Sequence, residues 1–84
     1  MNLAVVIPCF KVKQHIAGVL EKIGPEVKKI YVVDDACPEE TGNYVKEFVK
    51  DKRIQLIFHS QNQGVGGAVI SGYRAALSDG MDVI

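Results

Sequence analysis

The 84-residue chain balances ten Lys and Arg against ten Asp and Glu, with 48% hydrophobic and 24% charged residues, the make-up of one ordinary globular domain or part of one. Neutral charge and lysines scattered among acids give no electrostatic footprint for nucleic acid. No apolar run approaches the roughly 20 residues that cross a bilayer, and the short apolar start runs straight into Pro8 without the form of a secretory leader.

Three strand-then-helix units follow one another. Leu3 to Ile7 is a continuous apolar run of the kind buried on both faces of a sheet. Pro8 cannot donate to a ladder, so the first strand is expected to end there. Ile16, Val19, Leu20 and Ile23 then recur at helical spacing until Gly24-Pro25 stops them. Ile30 to Val33 forms the second strand, closed by Asp34-Asp35. Pro38 suits the first position of the next helix, with Glu39 and Glu40 against its positive end and Thr41, Tyr44, Val45, Phe48 and Val49 on its apolar face. Ile54 to Phe58 is the third strand. The third helix runs from about Gly64 to Ser78, with Val65, Val69, Tyr73 and Ala76 expected to point inward. Asp82-Val83-Ile84 opens a fourth strand. Strict alternation implies an α/β fold, a three-layer Rossmann-like parallel sheet with helices on both faces, and the barely begun fourth strand suggests that residues 1–84 are a fragment of a longer protein or a unit completed by another chain.

In open parallel sheets ligands bind beyond the carboxyl ends of the strands. The groups there are Pro8-Cys9-Phe10, Asp34-Asp35, and His59 with Asn62. Two adjacent carboxylates need solvent, a cation or N–H donors to compensate them. A carboxylate at this edge accepts from the ring N–H of uracil or guanine, and its neighbour can take a ribose hydroxyl. The competing use is capping of the following helix, worth about 1 kcal/mol. Phe10 offers a face to a base or sugar.

The remaining candidates carry less. Gly64, Gly66, Gly67 and Gly72 miss the dinucleotide fingerprint, because Val69 stands where its third glycine belongs and the run follows the third strand. Close helix–sheet packing, with Asn62 as cap, accounts for them better. Cys9 and Cys37 are too few for a disulfide framework, so a reducing, cytoplasmic setting is expected. With His59 they fall at strand ends, but a fourth ligand for a metal is not visible. His15 is expected to be solvated, and no Ser-His-Asp arrangement is visible.

Taken in order, Val6-Ile7-Pro8-Cys9-Phe10, Val32-Val33-Asp34-Asp35-Ala36, Asn62-Gln63-Gly64-Val65-Gly66-Gly67-Ala68 and Gly72-Tyr73 resemble the front of family 2 glycosyltransferases, nearest the dolichol-phosphate mannosyltransferase type. The resemblance implies a GT-A fold, a UDP- or GDP-linked nucleotide-diphospho-sugar donor, and inverting transfer to an acceptor such as a polyprenyl phosphate or glycan. It implies a nucleoside pocket lined by Pro8, Phe10 and Val33, with Asp35 receiving base or ribose and Asp34 supporting it. Lys11-Val12 stand where the family often has Asn-Glu, and Cys37 where a small polar residue is usual. The family's metal-binding Asp-x-Asp, for Mg2+ or Mn2+, is expected beyond Ile84, as is the catalytic base. These 84 residues alone are therefore expected to hold no catalytic residue and to transfer no sugar, the complete enzyme working in the cytoplasm or at the cytoplasmic face of a membrane. A receiver domain fits poorly, since its acidic pair follows the first strand. A nucleotide-binding or self-assembling module, pairing through the open sheet edge as a homo-oligomer, is the other reading.

Overall fold

Strand side chains alternate between two faces, so a strand apolar at every position needs cover on both. The computed structural model describes residues 1–11 and 13–84, which form three parallel strands and three helices. In chain order these are β1 (Ala4–Cys9), α1 (Lys13–Glu21), β2 (Lys29–Asp34), α2 (Thr41–Phe48), β3 (Ile54–Phe58) and α3 (Gly64–Ser78). The strands lie in the order β1-β2-β3, with Pro8 opposite Val33 and Asp34 opposite Phe58. This is an open, parallel, Rossmann-like sheet, as the resemblance to the GT-A fold implies.

After α3 the chain returns to the far side of β1. Val83 makes a single parallel bridge to Leu3, and the Ala4 N–H donates to the Val83 carbonyl at 2.8 Å. The stretch expected to open a fourth strand is one bridge long, and it makes β1 the point where strand order reverses. Right-handed crossovers in opposite directions put their helices on opposite faces. Accordingly α1 and α2 bury Ile16, Leu20 and Val45 against Ile30 and Val32, whereas α3 buries Ala76 against Ala4 and Tyr31.

Three local expectations change. β1 does not stop at Pro8 but continues to Cys9. The carbonyls of Leu3 and Cys9 accept from β2-side amides while the Ala4 N–H points the other way. By the same alternation the Pro8 nitrogen faces the outer edge, where β1 loses no bond to β2. Second, α2 starts at Thr41 rather than Pro38. Residues 38–39 form a turn, and Glu40 takes a left-handed φ of 53° with no side-chain cap. Third, α3 is rotated from its expected face. Val65, Val69 and Tyr73 are exposed, and Ala68, Gly72 and Ala76 face the sheet. Apolar size suggested the wrong stripe, because the backbone approaches too closely for large side chains. Val19 of α1 and Phe48 of α2 are likewise exposed.

At the opposite end of the sheet, Arg53 closes the turn after α1. Its guanidinium donates to the carbonyls of Gly24 at 2.7 Å, Val27 at 3.0 Å and Ile23 at 3.2 Å, while Asp51 accepts from it at 2.9 Å. These carbonyls lie where the helix has ended; that of Gly24 also accepts from the Val27 N–H at 3.3 Å.

The packing of α3 is testable at two glycines. A Cβ on Gly72 would overlap Val6 Cγ1, a stiff β-branched neighbour, whereas one on Gly66 meets open space. Gly72→Ala is expected to lower stability by about 1–3 kcal/mol, and Gly66→Ala to raise it by up to about 1 kcal/mol. Denaturant unfolding of the two variants checks this, and equal effects would contradict the packing.

Candidate nucleoside site

Asp34 and Asp35 leave β2 as neighbours, and strand alternation sends them to opposite faces. Asp34 shares the face of Ile30 and Val32 and turns toward α2. Its Oδ1 accepts from the Cys37 N–H at 2.8 Å and its Oδ2 from the Gly42 N–H at 2.7 Å. With Glu40 providing no side-chain cap, Asp34 satisfies the first turn of α2 from the strand end. A side chain at Gly42 would crowd this contact, because a Cβ would stand 2.9 Å from Asp34 Oδ2 and 2.5 Å from Phe58 Cε1.

Asp35 shares the face of Val33 and turns toward α3. Its Oδ1 accepts from the Gln63 N–H at 2.8 Å and lies 2.8 Å from His59 Nδ1. The Asn62 side chain donates to the Asp35 carbonyl at 3.1 Å and accepts from the Gly64 N–H at 3.1 Å. Asn62 thus bonds to the first amide of α3, although Gln63 occupies the cap position itself. Gly64 has a φ of +80°, which favours glycine. The His59 contact, then the Gln63 amide, hold the Asp35 carboxyl below its ordinary pKa despite burial.

Above these groups opens a cleft of about 390 Å³, within the size range of small-molecule sites. Its walls include Pro8 and Phe10 at the end of β1, Asp35 beyond β2, and Asn62, Val65 and Ala68 around the start of α3. Phe10 is 41% exposed and lines the cleft, with Lys11 Nζ over its ring, 5.4 Å from the centroid. The structure therefore brings Pro8, Phe10 and Asp35 together. Val33 is fully buried and Asp34 is turned to α2, so neither lines the cleft.

Cys37 ties two loops of this edge. Its Sγ accepts from the Lys11 N–H at 3.1 Å and lies 3.2 Å from Thr41 Oγ1. Burial opposes the thiolate, yet the Thr41 hydroxyl and nearby amides outweigh it and lower the thiol pKa. Cys9 behaves oppositely, pushed up to about 12 by burial and then by Asp34. The substitution of Cys37 for a polar residue does not leave α2 uncapped, because Asp34 does that work. Val12, whose departure from the family pattern was noted, lies outside the described residues.

Against this geometry, the pattern of "Glycosyl transferase family 2" matches residues 4–84. The chain belongs to that family. It is 29% identical over its full length to an undecaprenyl-phosphate mannosyltransferase of Micrococcus luteus, covering 36% of that protein. It is 25% identical over 94% of its length to a dolichol-phosphate mannosyltransferase of Pyrococcus furiosus, covering 24% of it. An uncharacterised protein of Methanocaldococcus jannaschii is 34% identical over 90% of the chain and is covered to 30%. The chain thus spans about a quarter to a third of the curated relatives it matches.

This family 2 chain contains an arrangement that sequence reading missed. Asp35, His59 and Ser71 form a hydrogen-bonded series, with His59 Nε2 2.8 Å from Ser71 Oγ. Position parity could have found it, since His59 follows Ile57 by two residues just as Asp35 follows Val33. It is no hydrolytic triad: Ser71 lies inside α3 and neither it nor His59 lines the cleft. For the divalent cation that the family implies, the residues fit poorly. Among the described residues no three His, Cys, Asp or Glu side chains gather as ligands, and no step is assigned through a cation here. Among those residues, too, no helix is long and apolar enough to cross a membrane.

The Asp35 network predicts an acid response. Folding depresses this pKa below its unfolded value of about 3.9. The stabilisation is complete above that value and is lost as pH falls through the lower, folded pKa. Denaturation midpoints measured from about pH 6 down to 2 should fall more steeply for the wild type than for Asp35→Asn. Parallel acid limbs would contradict the assignment.

Proposed function

We propose that residues 1–84 form the nucleoside-binding half of an inverting glycosyltransferase whose donor is a nucleotide-diphospho-sugar and whose acceptor is a polyprenyl phosphate. The observation that carries this reading is the cleft at the strand-order reversal, where Phe10 offers a flat apolar face beside the ionised, largely desolvated Asp35. A carboxylate accepts from the ring N–H of uracil or guanine, whereas neutral adenine and cytosine present no such ring N–H. The acceptor class rests on the names of the Micrococcus and Pyrococcus relatives. Transfer requires the acceptor oxygen to attack the anomeric carbon as the nucleoside diphosphate departs. A divalent cation, Mg2+ or Mn2+, would offset the diphosphate charge in the complete enzyme. We assign both its ligands and the acceptor's base to parts of the parent outside these residues, and place the parent at the cytoplasmic face of a membrane.

Titration of the 84-residue chain with UDP, GDP, CDP and ADP tests the reading. UDP or GDP should shift the Asp35 and Phe10 amide signals, with CDP and ADP weaker. Phe10→Ala should weaken binding about tenfold, since base–aromatic stacking contributes roughly 1–3 kcal/mol. The chain should turn over no UDP- or GDP-sugar when supplied with manganese. No shift with any nucleotide would sink the nucleoside assignment, and turnover would overturn the assignment of the chemistry elsewhere. Size-exclusion of the same samples reads the alternative, self-association through the outer edge of β1.

A further inference from the structure

His59 and Ser71 do not touch the cleft, yet both are joined to its acceptor. We propose that His59, oriented by Ser71, is a positioning residue that fixes the Asp35 carboxylate so that one oxygen meets the ring N–H of a bound uracil or guanine. The inference rests on the nucleoside reading and adds a specificity device behind it.

A carboxylate turns easily about its terminal torsion, which has no sharp staggered wells. Holding one orientation needs donors fixed in space. Asp35 has two on the same atom: the Gln63 N–H and His59 Nδ1 both lie 2.8 Å from Oδ1. Oδ1 takes both of these donors and the Gly64 amide also acts on the carboxyl, so Oδ2 of this cleft-lining residue is the oxygen assigned to a ligand. The side chains of His59 and Asp35 are only 7% and 4% exposed, so water competes little for these bonds.

The imidazole must also present the right nitrogen. Ionised Asp35 only accepts, so Nδ1 must carry a proton. In neutral imidazole Nε2 is then an acceptor, and the Ser71 hydroxyl 2.8 Å away can donate to it. The opposite tautomer would set the Nδ1 lone pair against the carboxylate. Asp35, which can only accept, thereby selects the tautomer, and Ser71 holds the ring by its second nitrogen. The elements that carry the three residues are set by packing rather than by this series. His59 continues β3, Asp35 continues β2, and Ser71 precedes Gly72, where α3 packs so near β1 that an added Cβ would overlap Val6.

A purely structural role would be indifferent to which donor reaches Asp35, and substitution separates the two cases. The Asn amide branches at the position of the imidazole γ carbon, so its nitrogen falls near Nδ1. The longer Gln amide reaches toward Nε2 instead. UDP and GDP are titrated into the wild-type chain, His59→Asn, His59→Gln and Ser71→Ala, with thermal midpoints recorded for each. Imidazole 15N shifts report the tautomer. The wild type should carry the proton on Nδ1. His59→Asn should bind within about threefold of wild type and His59→Gln about tenfold more weakly, the scale of one hydrogen bond to a charged group. Ser71→Ala should leave the proton on Nδ1 but free the ring at Nε2, and so weaken binding.

Equal affinity for His59→Gln and wild type overturns the positioning role alone. So does an Nε2–H imidazole in the wild type, a measurement that needs no variant to fold. If the wild type takes up neither nucleotide, the nucleoside reading fails, and this inference fails with it.

Discussion

The structure depends on one geometric constraint: neighbouring residues of a strand point to opposite faces. At the end of β2 that constraint divides two adjacent acids between two tasks. Asp34 follows Ile30 and Val32 toward α2, where two backbone amides take both of its oxygens. Asp35 follows Tyr31 and Val33 toward α3, where it meets Gln63, His59 and the cleft. Repulsion between adjacent carboxylates is relieved by separation and by N–H donors, with one acid building the fold and the other left at the ligand edge.

The same parity organises the rest. Pro8 lies on the α3 side, with its nitrogen toward the outer edge of β1, so the cleft gains a rigid apolar wall without a lost β1–β2 bond. Reversal of strand order at β1 forces α3 across the face opposite α1 and α2. This brings the start of α3, with Asn62 and Gly64, over Asp35. Close approach requires the small stripe Ala68, Gly72 and Ala76. Val65 and Ala68 then form cleft wall while Ile70 and Leu77 remain exposed.

The order and type of the elements were legible because each strand is a short apolar run and each helix is punctuated by Gly or Pro. The edge residues Pro8, Phe10 and Asp35 were legible for the same reason, since they stand where those runs end. The inward face of α3 was not, because hydrophobic size misleads when packing selects for smallness. Nor was the start of α2: Pro38 and the two glutamates make a sound local start signal, but Asp34 captures the chain at Cys37 and Gly42 and moves the first turn to Thr41. The Asp35–His59–Ser71 series spans two strand ends and a helix, and spacing alone does not reveal contacts of that range. Arg53, which closes the turn after α1, is hidden likewise.

Membership of glycosyl transferase family 2 gives this division a use, with the edge proposed to take a nucleoside lying in a chain about a quarter to a third as long as its relatives. Parallel study of Asp34→Asn and Asp35→Asn, each measured for stability and for UDP and GDP affinity, tests the division most directly. An Asn at 34 must turn its NH2 toward one of two backbone N–H groups, so stability should drop by about 1–3 kcal/mol while affinity of the folded protein stays near wild type. An Asn at 35 can keep its bond to Gln63 but meets the ring N–H with a donor, so affinity should fall about tenfold. Loss of affinity in Asp34→Asn with retention in Asp35→Asn would contradict the account.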